Sequence, residues 1–240
     1  MASKSALVLS GGGMFGAWQA GAWRSLAPHF KPDLVVGASV GSLNGYAIAA
    51  GWSARDLCHW WQRPGVASFG NLPKIAHELI DARPLEIEYA VTLVDLLRMK
   101  PRTVTGPGIR AEHLLASCAL PFAKLPQRID GRWYLDGGLL NPLPVWAAVE
   151  LGATRIIAIN ALPEIPLAVL RPFVKAFRTC FGYHPPLPPG VELTTLLPSR
   201  PLGSMRDAIY WKQENITRWI EQGAADAAEL ARNPASWRAP

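Results

Sequence analysis

The sequence holds a serine in a setting that suits nucleophilic attack. Residues 37–41 read Gly-Ala-Ser-Val-Gly and fit the G-x-S-x-G pattern, in which a serine occupies a sharp turn between a strand and a helix. The apolar run 34–36 before the serine and the helix-forming segment 42–50 after it supply that context. Ser39 is therefore the predicted nucleophile. The alternative is that the glycines serve helix packing and Ser39 caps the helix.

A glycine-rich loop precedes this motif at residues 11–16, which read Gly-Gly-Gly-Met-Phe-Gly. If both loops lie at one edge of a parallel sheet, backbone N–H groups of this loop can form an oxyanion hole beside Ser39. The same letters fit G-x-G-x-x-G, so a nucleotide- or phosphate-binding module is the alternative from another class. In dinucleotide-binding folds an acidic residue at the end of the second strand binds the ribose, whereas Asp33 precedes the strand here.

A serine nucleophile needs a base, and Asp136 is the best-placed candidate. It ends a strand expected at 132–135, and two glycines follow it, which lets the backbone approach a neighbouring site. Its carboxylate can then take the Ser39 proton directly. None of the five histidines has an informative setting. His184 follows Asp136 in the Ser, Asp, His order of the α/β-hydrolases and is the base of an alternative triad.

These residues depend on an α/β fold to bring them together. The first fifty residues read twice in succession as strand, glycine turn and helix, which favours a parallel sheet. Further along, the pattern predicts mostly helix over 55–100, a hairpin turn at Asp130-Gly131 and a final helix over 205–229. The remaining expected elements are strands at 5–10, 34–36, 101–105, 132–135 and 155–160, with helices at 17–26, 42–50, 111–119 and 145–151.

Composition narrows the class of protein. Half of the 240 residues are hydrophobic and 18% are charged, which excludes a disordered chain and fits a globular domain. The net charge of +6 suits anionic partners, but no reading helix or interleaved basic and aromatic patch accompanies it, so no nucleic-acid partner is expected. Three separated cysteines indicate neither a disulfide framework nor a zinc site. No signal peptide or membrane-spanning helix is expected, and the predicted location is the cytoplasm.

Taken together, the glycine loop 11–16, the serine motif 37–41 and the Asp-Gly-Gly triplet 136–138 resemble the patatin-like phospholipase family. The resemblance extends over most of residues 5–160, including the segments 16–21, 116–121 and 130–136. It implies a three-layer α/β/α fold with a mainly parallel central sheet, formed as one domain by residues 1–240. Within that domain, 161–240 is expected to add C-terminal helices and a proline-rich loop.

The resemblance also implies a mechanism. Ser39 and Asp136 would form a dyad in place of a triad, with the N–H groups of Gly11, Gly12 and Gly13 at the oxyanion. The chain departs from many family members at Phe15, where they carry a basic residue. The implied activity is that of a lipid acyl hydrolase, of phospholipase A or esterase type, which uses no cofactor or metal. Its substrate would be an acyl-ester lipid, and an acyltransferase that uses the same dyad is the second enzymatic alternative.

The segment 171–181 has a helical apolar stripe beside positive charges. Its apolar face holds Phe173, Val174, Phe177 and Phe181, and its basic edge holds Arg171, Lys175 and Arg178. Such a helix suits ordinary core packing, and the alternative is transient contact with an anionic membrane surface. The sequence makes no prediction of the oligomeric state.

Overall fold

A computed structural model describes residues 3–66, 68, 70–120, 125–163 and 171–232, apart from the side chains at positions 171, 173, 174 and 177. The strands of this part of the chain are β1 (Ser5–Leu9), β2 (Leu34–Ala38), β3 (Glu88–Asp95), β4 (Lys100–Thr105), β5 (Gln127–Ile129), β6 (Arg132–Asp136), β7 (Arg155–Ile159) and β8 (Glu192–Leu196). The α-helices are α1 (Gly16–Leu26), α2 (Val40–Ala49), α3 (Ala54–Gln62), α4 (Leu72–Ala82), α5 (Ala111–Ser117), α6 (Val145–Glu150), α7 (Arg171–Phe181), α8 (Met205–Ile209) and α9 (Gln213–Arg232).

All eight strands join one sheet, in the order β5-β6-β3-β2-β1-β7-β8, with β4 paired to β3. The pairs β3–β2, β2–β1, β1–β7 and β7–β8 are parallel. The pairs that β3 forms with β4 and β6, and the hairpin of β5 with β6, are antiparallel. The expected mainly parallel α/β sheet is therefore confirmed.

Helices cover both faces of the sheet, because successive residues of a strand point to opposite sides. Leu7 and Leu9 of β1 belong to the larger core cluster, which includes apolar side chains of α1, α2 and α9. Ala6 and Val8 of the same strand pack in a second cluster with Trp146 of α6. The expected three-layer arrangement is thus confirmed, with a core on each side of the sheet.

The expectation of mostly helix over 55–100 is wrong at its C-terminal end, where β3 runs through the sheet. Seven of its eight residues are buried, so this strand carries a continuous run of buried residues. An uninterrupted apolar run shows no period of two, and periodicity therefore cannot separate a buried strand from a buried helix. Strand β8 at Glu192–Leu196 was also not expected.

The expected final helix over 205–229 is two helices, α8 and α9, with a break between them. Tyr210 ends α8 in an extended conformation with φ −101° and ψ 124°. The first helix has its own capping box, in which the Ser204 hydroxyl accepts from the N–H of Asp207 and the Asp207 carboxylate accepts from the N–H of Ser204. This short helix contacts the glycine loop near the N-terminus.

Candidate active site

Ser39 occupies the turn between β2 and α2 in a strained backbone conformation. Its φ of 53° and ψ of −130° lie outside the regions that L residues usually adopt. Its N–H donates to Oγ of Ser117 at 2.9 Å, and that hydroxyl donates to the carbonyl of Thr92 at 2.9 Å. These two hydrogen bonds tie the strained turn to α5 and β3, and the turn has the strand-to-helix setting of a serine nucleophile.

The two glycines of the serine motif are needed because the backbone passes too close for a side chain. A Cβ on Gly37 would collide with the carbonyl of Gly41. A Cβ on Gly41 would collide with the carbonyls of Leu9 and Ser10, at the end of β1. The end of β1 therefore packs directly on the first turn of α2, and this contact brings the glycine loop after β1 to the side of Ser39.

Strand β3 brings Ser39 and Asp136 together. Its residue Thr92 pairs with Ala38, the last residue of β2, and its next residue Leu93 pairs with Asp136 at the end of β6. Strands β2 and β6 thus run toward each other along one edge of β3 and end at adjacent register positions. The turn after β2 and the last residue of β6 must then meet, although 97 residues separate Ser39 from Asp136.

The Ser39 hydroxyl donates to Oδ2 of Asp136 at 2.7 Å, and the N–H of Gly138 donates to Oδ1 at 2.6 Å. Ser39 is 6% exposed and Asp136 is 1% exposed. Burial raises the pKa of Asp136 to about 7, while the hydrogen bonds from Ser39 and Gly138 and the charge of Arg178 act in the opposite direction. A carboxyl group that titrates near neutral pH is suited to act as a general base.

The glycine loop lies against this pair. A Cβ on Gly11 would stand 3.2 Å from Cβ of Ser39 and 3.9 Å from its Oγ. The N–H of Gly11 donates to the carbonyl of Pro142 at 2.9 Å, so it is engaged and is not free for a substrate oxygen. The N–H groups of Gly12 and Gly13 have no acceptor among the residues that the structure describes. Of the three glycines expected as oxyanion donors, Gly12 and Gly13 therefore keep an unbonded N–H in the described part of the chain.

An apolar slot opens on Ser39. Its volume is about 20 Å³, which is room for about one water molecule. Its walls come from the glycine loop, α2, α4, α8 and the segment that follows α5, and include Leu43, Leu72 and Leu120. A Cβ on Gly13 would collide with the carbonyl of Ala208, so α8 lies directly on the loop. The slot at this volume is too small for an acyl chain.

Phe15, the position at which the chain departs from the family pattern, is buried. It is 1% exposed, and its ring meets Trp219 of α9 edge to face, with centroids 5.0 Å apart. Helix α9 can approach α1 this closely because Gly21 and Gly223 leave room: a Cβ on either glycine would collide with backbone of the other helix. An apolar side chain therefore suits this place better than a charged one.

His184, the base of the alternative triad, lies away from the dyad. Its Nδ1 is 3.4 Å from Nδ2 of Asn141, and its Nε2 is 3.3 Å from the carbonyl of Arg178. Within the described residues, no hydrogen bond joins His184 to Ser39 or Asp136. The direct contact of Ser39 with Asp136 supports a dyad instead.

Sequence reasoning missed Arg178, which was expected on the basic edge of an amphipathic helix. It is only partly exposed, and its guanidinium donates to the carbonyls of Gly138 and Leu139 at 3.3 and 3.1 Å. Lys175 and Phe181 of the same helix are exposed. The side chains of Arg171, Phe173, Val174 and Phe177 lie outside the described residues. No sequence motif indicated that Arg178 would contact the turn after β6.

Comparison with known proteins identifies the class. The family model described as patatin-like phospholipase matches residues 7–106 and 109–149, and the chain belongs to this family. Uncharacterized NTE family proteins of Mycobacterium tuberculosis and Mycobacterium bovis are each 29% identical to it over an alignment of 195 residues, and the match covers 71% of this chain and 53% of theirs. The chain thus spans about half the length of these relatives.

The fold has a counterpart among solved structures. VipD from Legionella pneumophila superposes with a TM-score of 0.58 at 12% sequence identity, over 96% of this chain and 67% of its own. The likeness supports the patatin-like arrangement of the sheet and helices. In the described part of the chain, none of the helices has the length and apolar character that a membrane crossing requires.

Proposed function

We propose that this protein is a serine lipid acyl hydrolase of the phospholipase A or esterase type, with Ser39 as nucleophile and Asp136 as general base. The observation that carries the proposal is the buried 2.7 Å hydrogen bond from the Ser39 hydroxyl to the Asp136 carboxylate. Membership of the patatin-like phospholipase family supports the same chemistry.

In the proposed reaction, Asp136 accepts the Ser39 proton while Oγ attacks the acyl carbonyl of the ester. The N–H groups of Gly12 and Gly13 stabilise the oxyanion of the tetrahedral intermediate. The intermediate expels the alcohol, which takes the proton from Asp136, and leaves an acyl group on Ser39. A water molecule then gives a proton to Asp136 and attacks the acyl-enzyme, and release of the fatty acid returns that proton to Ser39.

The surroundings of Ser39 favour an acyl-ester lipid as the substrate. The slot beside it is lined by apolar side chains such as Leu43 and Leu72, which suit a hydrocarbon chain. A phosphate site is less well supported, because the described residues that line the slot include no arginine, lysine or histidine to pair with an anion.

The test is hydrolysis of a series of p-nitrophenyl esters by the wild type, Ser39→Ala and Asp136→Asn. We expect each variant to lose kcat/KM by about a thousandfold or more, because the two side chains act as one unit. Asp130→Asn is the matched control, since this exposed residue lies in the turn before β6 and undergoes the same change of charge. Activity that survives in Ser39→Ala would contradict the proposal. Product partitioning to an added alcohol would indicate an acyltransferase with the same dyad.

A further inference from the structure

Arg178 of α7 reaches the turn that follows Asp136. Its Nε donates to the carbonyl of Leu139 at 3.1 Å, and a terminal nitrogen of the same guanidinium donates to the carbonyl of Gly138 at 3.3 Å. A planar guanidinium is suited to hold two adjacent acceptors in a fixed geometry. The guanidinium therefore fixes both peptide carbonyls of this turn.

The same turn holds the carboxylate. The N–H of Gly138 donates to Oδ1 of Asp136 at 2.6 Å, and the N–H of Leu139 donates to the carbonyl of Asp136 at 3.1 Å. Arg178 thus holds the peptide between Gly138 and Leu139, whose N–H donates to the carbonyl of Asp136. The residue whose N–H binds the carboxylate, Gly138, is therefore fixed through its own carbonyl. Because Oδ2 of the carboxylate accepts from Ser39, the orientation of the dyad depends on this turn.

Arg178 also places a positive charge close enough to act on the buried carboxyl group of Asp136. Asp136 is almost fully buried, and its ionised form needs stabilisation there. The glycine loop does not supply a cation, because its fifth residue is Phe15 and that ring packs on Trp219. The guanidinium is the charged side chain that acts on Asp136 in the described part of the chain.

We propose that Arg178 is a positioning residue of the active site, which orients Asp136 through the turn 136–139 and favours its ionised form as the base for Ser39. This inference rests on the proposed function. The positive charge beside Asp136 then comes from α7, since the glycine loop carries none.

Three segments present a polar or charged group to the Asp136 carboxylate. The end of β2 presents the Ser39 hydroxyl, the turn after β6 presents the N–H of Gly138, and α7 presents the guanidinium of Arg178. His184 follows α7 and contacts the backbone carbonyl of Arg178 at 3.3 Å, so it is the titratable group beside this arginine. His184→Ala is included in the experiment as the control for this imidazole.

The experiment measures kcat/KM for a p-nitrophenyl ester from pH 5 to pH 9 in the wild type and in Arg178→Gln, Arg178→Met and Arg178→Lys. Lys175→Gln is the matched control, because it removes a positive charge from an exposed position of the same helix. Loss of the guanidinium charge should move the acid limb of the profile upward by about one pH unit. At a pH below this limb, the expected loss in kcat/KM is about tenfold.

Arg178→Lys should keep the acid limb near its wild-type position, because the charge remains, while kcat falls through loss of the two-carbonyl contact. Lys175→Gln and His184→Ala should leave the limb unchanged. An unchanged limb in a folded Arg178→Gln or Arg178→Met would overturn the inference, and so would equal shifts in the lysine and neutral variants. If the wild type has no Ser39-dependent activity, the proposed function fails as well. Circular dichroism checks the fold of each variant. If only one of the two neutral variants folds, that variant alone decides the test.

Discussion

The buried carboxyl group of Asp136 should make the stability of this protein depend on pH. Its pKa is about 7 in the folded state, whereas an unfolded chain gives an aspartate a pKa of about 3.9. Between these two values the folded state holds a proton that the unfolded state has released. The free energy of unfolding must therefore fall as the pH rises from about 4 to about 7, and the stabilising effect of this proton is absent above pH 7.

The magnitude follows from the two pKa values. They differ by about three pH units, and each unit corresponds to about 1.4 kcal/mol, which gives about 4 kcal/mol in total. About 3 kcal/mol of this loss should fall between pH 5 and pH 8. Asp136→Asn has no proton to release, so it should escape this loss and gain stability relative to the wild type as the pH rises.

The assay is urea unfolding of the wild type and Asp136→Asn at pH 5, 6, 7 and 8. The measured quantity is the change with pH of the difference in unfolding free energy between the two proteins. Effects of the substitution that do not depend on pH cancel in this comparison. Asp130→Asn changes a residue of an exposed turn, so its unfolding free energy should change with pH in parallel with that of the wild type. Parallel curves for Asp136→Asn and the wild type would refute the reasoning, since they would show that Asp136 ionises alike in both states.

Two further predictions concern the core around the site. Phe15→Arg should lower the free energy of unfolding by about 3 kcal/mol or more in urea titrations, because an uncompensated charge would replace a ring packed on Trp219. A loss below about 1 kcal/mol would show that the position tolerates the basic residue of other family members. Burial raises the pKa of the Cys58 thiol to about 11, whereas Cys180 is exposed. A disulfide reagent at pH 8 should therefore label Cys180 rapidly and Cys58 only after unfolding, and rapid labelling of Cys58 in the native protein would contradict this.

The local part of the fold was predictable because it depends on short-range patterns. The glycine turns after β1 and β2 follow apolar runs and precede helical segments, and the hairpin at Asp130-Gly131 is a strong turn signal with both residues at positive φ. The structure brings Ser39 and Asp136 together as the motifs indicated. The pairing that does so, through Thr92 and Leu93 of β3, was not predictable, because a buried run of this kind has no strand periodicity.

Features that depend on contacts between distant segments were also missed. The Gly11 N–H donates to the carbonyl of Pro142, a residue 131 positions away in the sequence, and no local sequence pattern predicts this hydrogen bond. Arg178 was assigned to a basic helix edge by its spacing, yet tertiary packing directs its guanidinium to the turn after β6. Composition shows that a charge is present, but only the fold decides which group it faces.

The most direct test of the central claim is covalent labelling of the native protein with a fluorophosphonate, a reagent that reacts with activated serine hydroxyls. Peptide mass spectrometry should place a single adduct on Ser39. The adduct should be absent from Asp136→Asn, because the hydroxyl has then lost its base, and present in Asp130→Asn. An adduct on a different serine, or undiminished labelling of Ser39 in Asp136→Asn, would contradict the assignment of this pair as nucleophile and base.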